Sequence, residues 1–335
     1  MPELRHDPLL QRWVIVSSER GARPAVEGRE PRAKTGDPPC PFCPGHEAET
    51  LPEIAATRPA DSAPDSPGWR VRVVPNKYPA LRSDASELED LGPLFGRRGG
   101  QGHHEVIIEG EDHTRSVSEL ASVRMQEVVS TYRERFRALS TVSGLESAVL
   151  IKNVGVEAGA SIEHSHSQLI TTPLLPPTLE LELRSAAEWK RQGRDCIWCS
   201  IIQEERARQE RVVFEHGGLI ALCPWASRFP YETWILPRTH ASHFERATDE
   251  DVEELAACIQ RLVGAVEACL HEPPYNYVVH SAPFPTEERL DYHWRLSLLP
   301  RITHAAGYEQ ATGLYINPLL PEVAAADLRS RLAGA

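Results

Sequence analysis

The stretch that decides the fold is "SIEHSHSQLITTP", residues 161–173. It places His164, His166 and Gln168 at every second position and continues into a β-branched, apolar run that ends at Pro173. Side chains alternate between the two faces of a β-strand, so a strand here directs all three polar groups to one face. Such groups need a metal ion, a phosphate or solvent as partner; a polar edge strand without function is the simpler alternative.

The order of elements around this stretch recurs once along the chain. In both parts a C-x-x-C pair is followed by strand-like runs, a long helix and a final strand that carries a histidine, with the helices predicted over 116–140 and 249–271. A histidine precedes each helix, 51 residues before the strand histidine in the first part and 53 in the second. We interpret this pattern as an internal duplication, with one domain over 1–175 and another over 190–335, separated by a Pro-rich crossing.

Each copy supplies two cysteines and two histidines, a set that suits tetrahedral zinc. The first set is Cys40, Cys43, His113 and His164, and the second is Cys196, Cys199, His240 and His293. His243 is a rival to His240, which is preferred because it lies directly after a predicted strand. A single C-x-x-C pair also fits a redox pair or loop cysteines, but the matched repeat favours two structural zinc sites. Iron stays open as the alternative metal.

Composition narrows the class of protein. The chain has 335 residues, 41% hydrophobic and 25% charged, which is typical of a globular protein. The formal net charge of −12 argues against a nucleic-acid-binding surface, which is normally basic. The sequence has neither a run of about 18 apolar residues nor a signal-peptide pattern, so we expect no membrane association and a cytoplasmic location.

The groups around the histidine strand point to phosphate chemistry. If His164 binds metal, His166 has no ligand role and is a candidate nucleophile or base. The Gly-rich stretch "KNVGVEAGAS", residues 152–161, offers backbone N–H groups that can bind an anion, or it is a simple hairpin loop. Near the N-terminus, Arg20 and Arg23 either clamp a phosphate or are solvated surface charges.

These motifs resemble those of the galactose-1-phosphate uridylyltransferase family of the histidine-triad superfamily, over essentially the whole chain. The segments that carry the resemblance are "ELRHDPLLQRWVIVSSERGARP", "CPFC", "VVPNKYPAL", "HHEVIIEGEDH", "KNVGVEAGASIEHSHSQ", "PPYNYVVHSAP" and "GYEQATGLYINP". The resemblance implies an α/β (α+β) fold of two fused histidine-triad-like halves, with antiparallel sheets and flanking helices, in a homodimer.

The resemblance also implies a reaction and assigns residues to it. The family acts on a nucleotide sugar and a sugar phosphate through a covalent nucleotidyl-histidine, in a ping-pong sequence. By motif position the site comprises His166 as nucleophile, Gln168 on the phosphoryl oxygens, Asn153, Gly159 and Ser161 along the phosphates, Asn76 near the ribose, and Arg20 and Arg23 at the sugar phosphate. Glutamine cannot act as a general base, which fits an intermediate that waits for an acceptor other than water.

The substrate is less sharply indicated than the reaction. We expect uridylyl transfer between UDP-glucose and galactose 1-phosphate. The family's common form has proline where Ser165 stands, and its sugar-side segment is replaced here by residues 307–318. These departures resemble the plant-type ADP-glucose phosphorylases, so adenylyl transfer to phosphate is the alternative, with a nucleotide-conjugate hydrolase as a third reading.

The second half is predicted to bind metal without doing chemistry. Two and four residues after His293 stand Arg295 and Ser297, where the first half has His166 and Gln168. A guanidinium stays protonated, so it can neither attack phosphorus nor accept a proton. Arg295 is therefore expected to form a local ion pair or to help neutralise a substrate phosphate.

Overall fold

The computed structural model describes residues 3–16, 40–86, 94, 98–284 and 287–334. Within them the chain forms thirteen strands. They are β1 Glu3–Asp7, β2 Arg12–Val16, β3 Ala55–Thr57, β4 Val71–Pro75, β5 His104–Ile108, β6 Ser147–Val154, β7 His166–Thr172, β8 Val212–His216, β9 Leu219–Leu222, β10 Thr233–Pro237, β11 Tyr275–His280, β12 Arg295–Pro300 and β13 Tyr315–Asn317.

Six α-helices accompany these strands in the same residues. They are α1 Ser122–Ser140, α2 Pro177–Arg191, α3 Ile197–Arg208, α4 Asp249–Leu270, α5 Gly307–Thr312 and α6 Pro321–Ala333. No helix in this part of the chain is long and apolar enough to cross a membrane.

Ten strands form one antiparallel sheet in the order β3-β4-β5-β7-β6-β11-β12-β10-β9-β8. Read inward from its two edges, the sheet shows the same arrangement twice, because β3, β4, β5, β7 and β6 correspond to β8, β9, β10, β12 and β11. The expected α/β fold with two related antiparallel halves is thus confirmed. The two halves are joined into one continuous sheet, since β6 pairs with β11 and places Ile151 opposite Val278.

One face of the large sheet is covered by the long helix of each half. Apolar residues at helical spacing on α1 and α4 enter a single core with the strands, among them Val128, Tyr132, Leu255 and Leu262. Thr248 caps the N-terminus of α4 in a capping box. Its hydroxyl accepts from the Asp251 N–H at 3.1 Å, and the Asp251 carboxylate accepts from the Thr248 N–H at 2.8 Å. This shared core holds the two halves of the sheet in one body.

The opposite face differs between the halves. In the second half α2 and α3 cover it through a core that includes Trp198, Leu222 and Tyr292. In the first half a smaller cluster around Phe42 and Trp69 occupies the corresponding face, beside the first C-x-x-C pair. That arrangement leaves His166 and Gln168 on the less covered side of the sheet. A separate sheet, β1-β2-β13, joins the two ends of the chain.

Two predicted elements begin later than the sequence pattern indicates. The histidine strand starts at His166, because the Ser165 N–H donates to the Thr114 carbonyl and binds a loop instead of a strand. The first long helix starts at Ser122 rather than at residue 116. Ser116 and Glu119 form a capping box that closes a separate 3-10 turn, and Leu120 is then extended.

Candidate functional site

The first Cys₂His₂ set comes together at the edge of the less covered face. The Cys43 sulfur lies 3.3 Å from Nδ1 of His113 and 3.5 Å from Nδ1 of His164, and the Cys40 sulfur lies 3.8 Å from the latter nitrogen. His113 comes from the loop after β5 and His164 from the approach to β7. All four ligand atoms lie within 4.8 Å of one another.

The second set repeats this geometry at the start of α3. The Cys199 sulfur lies 3.6 Å from Nδ1 of His240 and 3.2 Å from Nε2 of His293, and Cys196 completes the group. The structure thus groups His240, and not His243, with the cysteines; His243 instead places Nδ1 2.6 Å from the Ser242 hydroxyl.

Both sets fit a tetrahedral zinc ion. With Zn–S near 2.3 Å and Zn–N near 2.0–2.1 Å, neighbouring sulfur and nitrogen ligands lie about 3.6 Å apart, close to the separations found here. The far nitrogens of His164 and His240 contact the Gly110 and Arg289 carbonyls at 2.8 and 2.6 Å, which leaves each Nδ1 free to coordinate. Burial lowers the pKa of His164 to about 4, so the imidazole is neutral, as coordination requires.

His166 is held as a neutral imidazole with one nitrogen free. Its Nδ1 lies 2.8 Å from the His164 carbonyl oxygen and donates to it, so the proton resides on Nδ1 and the lone pair on Nε2. Burial lowers the pKa of His166, and the Phe42 ring packs against it at 5.2 Å between centroids. The carbonyl that orients His166 belongs to His164, a member of the first Cys₂His₂ set.

Beneath this strand, on the helix-covered face, lies a buried polar cluster centred on Glu109. The Glu109 carboxylate accepts from Lys152, from Tyr132, from Ser167 and, at 2.6 Å, from Ser165. Burial alone would raise the pKa of Glu109, but Lys152 and the two serines hold it below its ordinary value. Lys152 also donates to the Ser165 hydroxyl at 2.8 Å and to the His166 carbonyl at 3.3 Å. The backbone of the histidine strand is therefore fixed from below.

On the other face, Gln168 belongs to a chain of amide and imidazole groups. Its Oε1 lies 2.8 Å from Nε2 of His104 and 3.4 Å from Nδ2 of Asn76. The Ala80 N–H donates to Nδ1 of His104 at 3.0 Å, and the Tyr78 N–H donates to Oδ1 of Asn76 at 2.8 Å. Asn76 and His104, the two partners of Gln168, also line a cavity of about 340 Å³.

The predicted phosphate loop contains two residues in the left-handed region, Gly155 at φ +83° and Gly159 at φ +91°. A side chain at Gly155 would come within 2.9 Å of Pro274, so only glycine fits there. Asn153 accepts from the Asn276 amide at 2.8 Å, which ties this loop to β11 of the second half. Ser161 follows in the same loop. Arg20 and Arg23 lie outside the described residues.

In the second half an ion pair occupies the position of the nucleophile. Arg295, the first residue of β12, contacts both oxygens of Glu182 at 2.5 and 3.2 Å, and its guanidinium lies 4.7 Å from the Trp198 ring. Burial opposes this charge, but Glu182 raises the pKa of Arg295 above its ordinary value. Arg295 thus forms the local ion pair that was one of the two expectations for it.

Sequence reasoning missed three residues that the structure brings to the site. His104 and Glu109 lie in "HHEVIIEGEDH", which was noted without a role for either residue; in the structure His104 begins β5 and Glu109 follows it. Asn276 lies in "PPYNYVVHSAP", which was noted without a role. A signal existed for Asn276, because polar residues are unusual inside an apolar strand; the other two have no local signal.

The fold consists of two related antiparallel halves, each with one Cys₂His₂ set, and two family models match the chain in the same two parts. Residues 1–176 match the family described as galactose-1-phosphate uridyl transferase, N-terminal domain, and residues 182–305 match its C-terminal domain. The chain belongs to the galactose-1-phosphate uridylyltransferase family.

Particular relatives carry two different activities in their names. The chain is 33% identical to an ADP-glucose phosphorylase of Arabidopsis thaliana, over 98% of this chain and 92% of the relative. It is 28% identical to a galactose-1-phosphate uridylyltransferase of Thermotoga maritima, over 98% of each. Among solved structures, the Arabidopsis thaliana ADP-glucose phosphorylase with bound ADP-glucose superposes with a TM-score of 0.83, at 31% identity, over 98% of this chain and 99% of that one. A structure of uridylyltransferase superposes with a TM-score of 0.77, at 26% identity, over 100% and 99%.

Proposed function

We propose that the protein transfers a nucleoside monophosphate from a nucleotide sugar to a phosphate acceptor through a covalent nucleotidyl-His166. The observation that carries the proposal is the hydrogen bond from Nδ1 of His166 to the His164 carbonyl. This bond keeps the lone pair on Nε2, so the imidazole is a nucleophile without needing a separate base.

The transfer takes two displacements at one phosphorus atom. In the first, Nε2 of His166 forms a bond to the α-phosphorus, and the bond from that phosphorus to the bridging oxygen breaks, which releases the sugar phosphate with the electron pair. In the second, an acceptor phosphate oxygen attacks the same phosphorus, and the P–N bond breaks to return the imidazole. The His164 carbonyl accepts from Nδ1–H throughout and so stabilises the positive charge that the ring develops.

The remaining site residues are proposed to bind the phosphates and the nucleoside. Gln168 donates to the phosphoryl oxygens, and the 340 Å³ cavity lined by Asn76 and His104 takes the nucleoside, with Asn76 near the ribose. Asn153, Gly159 and Ser161 supply loop contacts to the phosphates. Arg20 and Arg23 are assigned to the sugar phosphate by motif position alone.

Both Cys₂His₂ sets are proposed to hold structural zinc, with iron as the alternative metal. A closed set of four protein ligands leaves no position for substrate, so a bound metal would crosslink the chain rather than activate a reactant. In the first set, Cys40, Cys43, His113 and His164 would thereby fix the carbonyl that orients His166. The homodimer and the cytoplasmic location expected from the sequence remain predictions.

For the donor we propose ADP-glucose, with inorganic phosphate as acceptor. The support is the higher identity to the ADP-glucose phosphorylase, 33% against 28%, together with Ser165 at the position where the family's common form has proline. Uridylyl transfer between UDP-glucose and galactose 1-phosphate is the second candidate, favoured by the family matches to both halves.

Intact mass spectrometry tests the reaction and the donor together. After incubation with ADP-glucose or UDP-glucose in separate samples, the added mass identifies the transferred nucleotide. We expect one AMP per chain from ADP-glucose and its loss when phosphate is added. An adduct formed only from UDP-glucose selects the second candidate, release to water without an acceptor selects a hydrolase, and an acid-stable adduct excludes a phosphoramidate.

A further inference from the structure

We infer that His104 is a positioning residue that sets which end of the Gln168 amide faces the reacting phosphate. The inference rests on the proposed function, in which Gln168 donates to the phosphoryl oxygens. A backbone N–H, that of Ala80, points at the His104 ring, and its direction is fixed because no side-chain flip can reverse it.

A hydrogen bond from the loop after β4 determines which ring nitrogen of His104 carries the proton. The Ala80 N–H points at Nδ1 of His104 from 3.0 Å, so this nitrogen must carry a lone pair. In a neutral imidazole the proton then resides on Nε2, which lies 2.8 Å from Oε1 of Gln168 and donates to it. The same logic orients Asn76, because the Tyr78 N–H occupies its oxygen. Its NH₂ nitrogen lies 3.0 Å from Nε2 of His104 and 3.4 Å from Oε1 of Gln168; since Nε2 already carries a proton, the NH₂ group donates to the Gln168 oxygen and not to the ring.

Two fixed donors therefore converge on one carbonyl oxygen, and Gln168 must present its NH₂ group elsewhere. His104 lies opposite Ile170 on the neighbouring strand, whereas His166 lies opposite Ile108, so His104 approaches Gln168 from the end remote from His166. The amide NH₂ is thus left on the His166 side, where it can donate to phosphoryl oxygens. A reversed amide would direct its oxygen at the phosphate and repel it.

Two substitutions separate this role from a purely structural one. His104→Asn keeps an acceptor near the Nδ1 position for the Ala80 N–H but removes the donor to Gln168. His104→Gln keeps a donor near the Nε2 position. Because losing one neutral hydrogen bond corresponds to about a tenfold effect, we expect adduct formation in single-turnover assays to slow about tenfold in His104→Asn and to stay within about twofold in His104→Gln.

A double-substitution cycle tests whether His104 acts through Gln168. We expect His104→Asn to have little effect, within about twofold, in a Gln168→Ala background, and substrate affinity to change less than the rate constant. Additive losses, or equal losses in His104→Asn and His104→Gln, would overturn the inference. His216→Asn, an exposed histidine on β8, is the matched control and should leave the rate unchanged.

A measurement on the protein without substrate keeps the two proposals distinguishable. Two-bond ¹H–¹⁵N spectra of ¹⁵N-histidine-labelled protein, assigned with His104→Asn, should show His104 as the Nε2–H tautomer. The Nδ1–H tautomer would overturn the inference even if transfer is normal. If the wild type forms no adduct from either nucleotide sugar, the proposed function fails, and the tautomer still decides how Gln168 is oriented.

Discussion

The two halves of the sheet place different chemistry at equivalent positions. In the first half β7 begins with His166, whose Nδ1 donates to the His164 carbonyl and leaves the lone pair on Nε2, and a buried cluster of Glu109, Lys152 and serines lies beneath it. In the second half β12 begins with Arg295, which is locked to Glu182 on α2. Beneath it the positions of Ser165, Ser167 and Lys152 hold large apolar groups. These are Trp294, Leu296 and Val279, which are buried in the main core.

The difference shows what a reactive histidine requires of its surroundings. An apolar layer stabilises the second half, whereas the first half buries four polar groups that hold the backbone of the reactive strand. Both halves have the Cys₂His₂ geometry, so these sets belong to the common fold and do not by themselves make one half reactive. The following predictions test this division, beginning with the largest expected effect.

Replacing the proposed nucleophile should separate activity from stability. We expect His166→Ala to reduce transfer more than about a thousandfold, because the covalent route loses its attacking atom. The free energy of unfolding should fall by only about 1–3 kcal/mol, since the buried ring packs on Phe42 and makes one internal hydrogen bond. Intact mass and thermal unfolding measure both. An adduct on the substituted chain, or one that peptide mapping places in residues 287–300, would contradict the assignment.

Breaking one metal set at a time should distinguish the halves. Cys40→Ser and Cys196→Ser should each remove about one metal ion per chain and cost several kcal/mol of stability. Only Cys40→Ser should also slow adduct formation per folded chain, because His164 orients His166. Elemental analysis and single-turnover rates at low temperature report the two effects. A wild-type chain with neither zinc nor iron, or equal rate losses in both variants, would refute the prediction.

Removing the cation from each buried ion pair gives the next contrast. Lys152→Met removes the counter-charge of Glu109, and Arg295→Met removes that of Glu182. Each substitution should lower the free energy of unfolding, measured in urea, by about 3–5 kcal/mol. Lys152→Met should also slow adduct formation, since its ammonium contacts the His166 carbonyl, while Arg295→Met should leave the rate within about twofold.

Paired substitutions serve as controls for this contrast. Lys152→Met with Glu109→Gln, and Arg295→Met with Glu182→Gln, should each recover part of the lost stability because no charge remains buried alone. If Arg295→Met abolishes the adduct in folded protein, the second half contributes directly to the reaction and the comparison fails.

The smallest expected effect concerns Ser165. Ser165→Ala removes one hydroxyl between Lys152 and Glu109, which keep each other as partners, so we expect a loss of about 1 kcal/mol. Urea unfolding is precise enough to detect it. A loss as large as that of Lys152→Met would mean that the hydroxyl, rather than the ion pair, stabilises the cluster.

The cysteines and histidines of the two Cys₂His₂ sets were predictable from the sequence. Cysteines and histidines at a repeated spacing indicated both metal sets, including His240 over His243, because tetrahedral coordination needs those side chains. The strands and long helices followed from apolar periodicity. The start of the histidine strand did not, since the pairing of Ser165 with Thr114 depends on a loop some fifty residues earlier in the chain.

Contacts between distant segments were out of reach for local patterns. Nothing near Glu109 indicates that four donors will surround it, because they come from α1, β6 and the histidine strand. His104 likewise reaches Gln168 only because β5 lies beside β7 in the folded sheet. The pairings of β6 with β11 and of β13 with β2 could not be predicted either, because nothing in the sequence of one strand indicates its partner.

The join between β6 and β11 also has a consequence for synthesis. β6 leaves the ribosome about 120 residues before β11, and until then it is the unpaired border of a nascent five-strand sheet. During that interval its exposed backbone can pair with an edge strand of another chain. We therefore expect the yield of native protein to depend on the time between synthesis of β6 and of β11, and not on final stability alone.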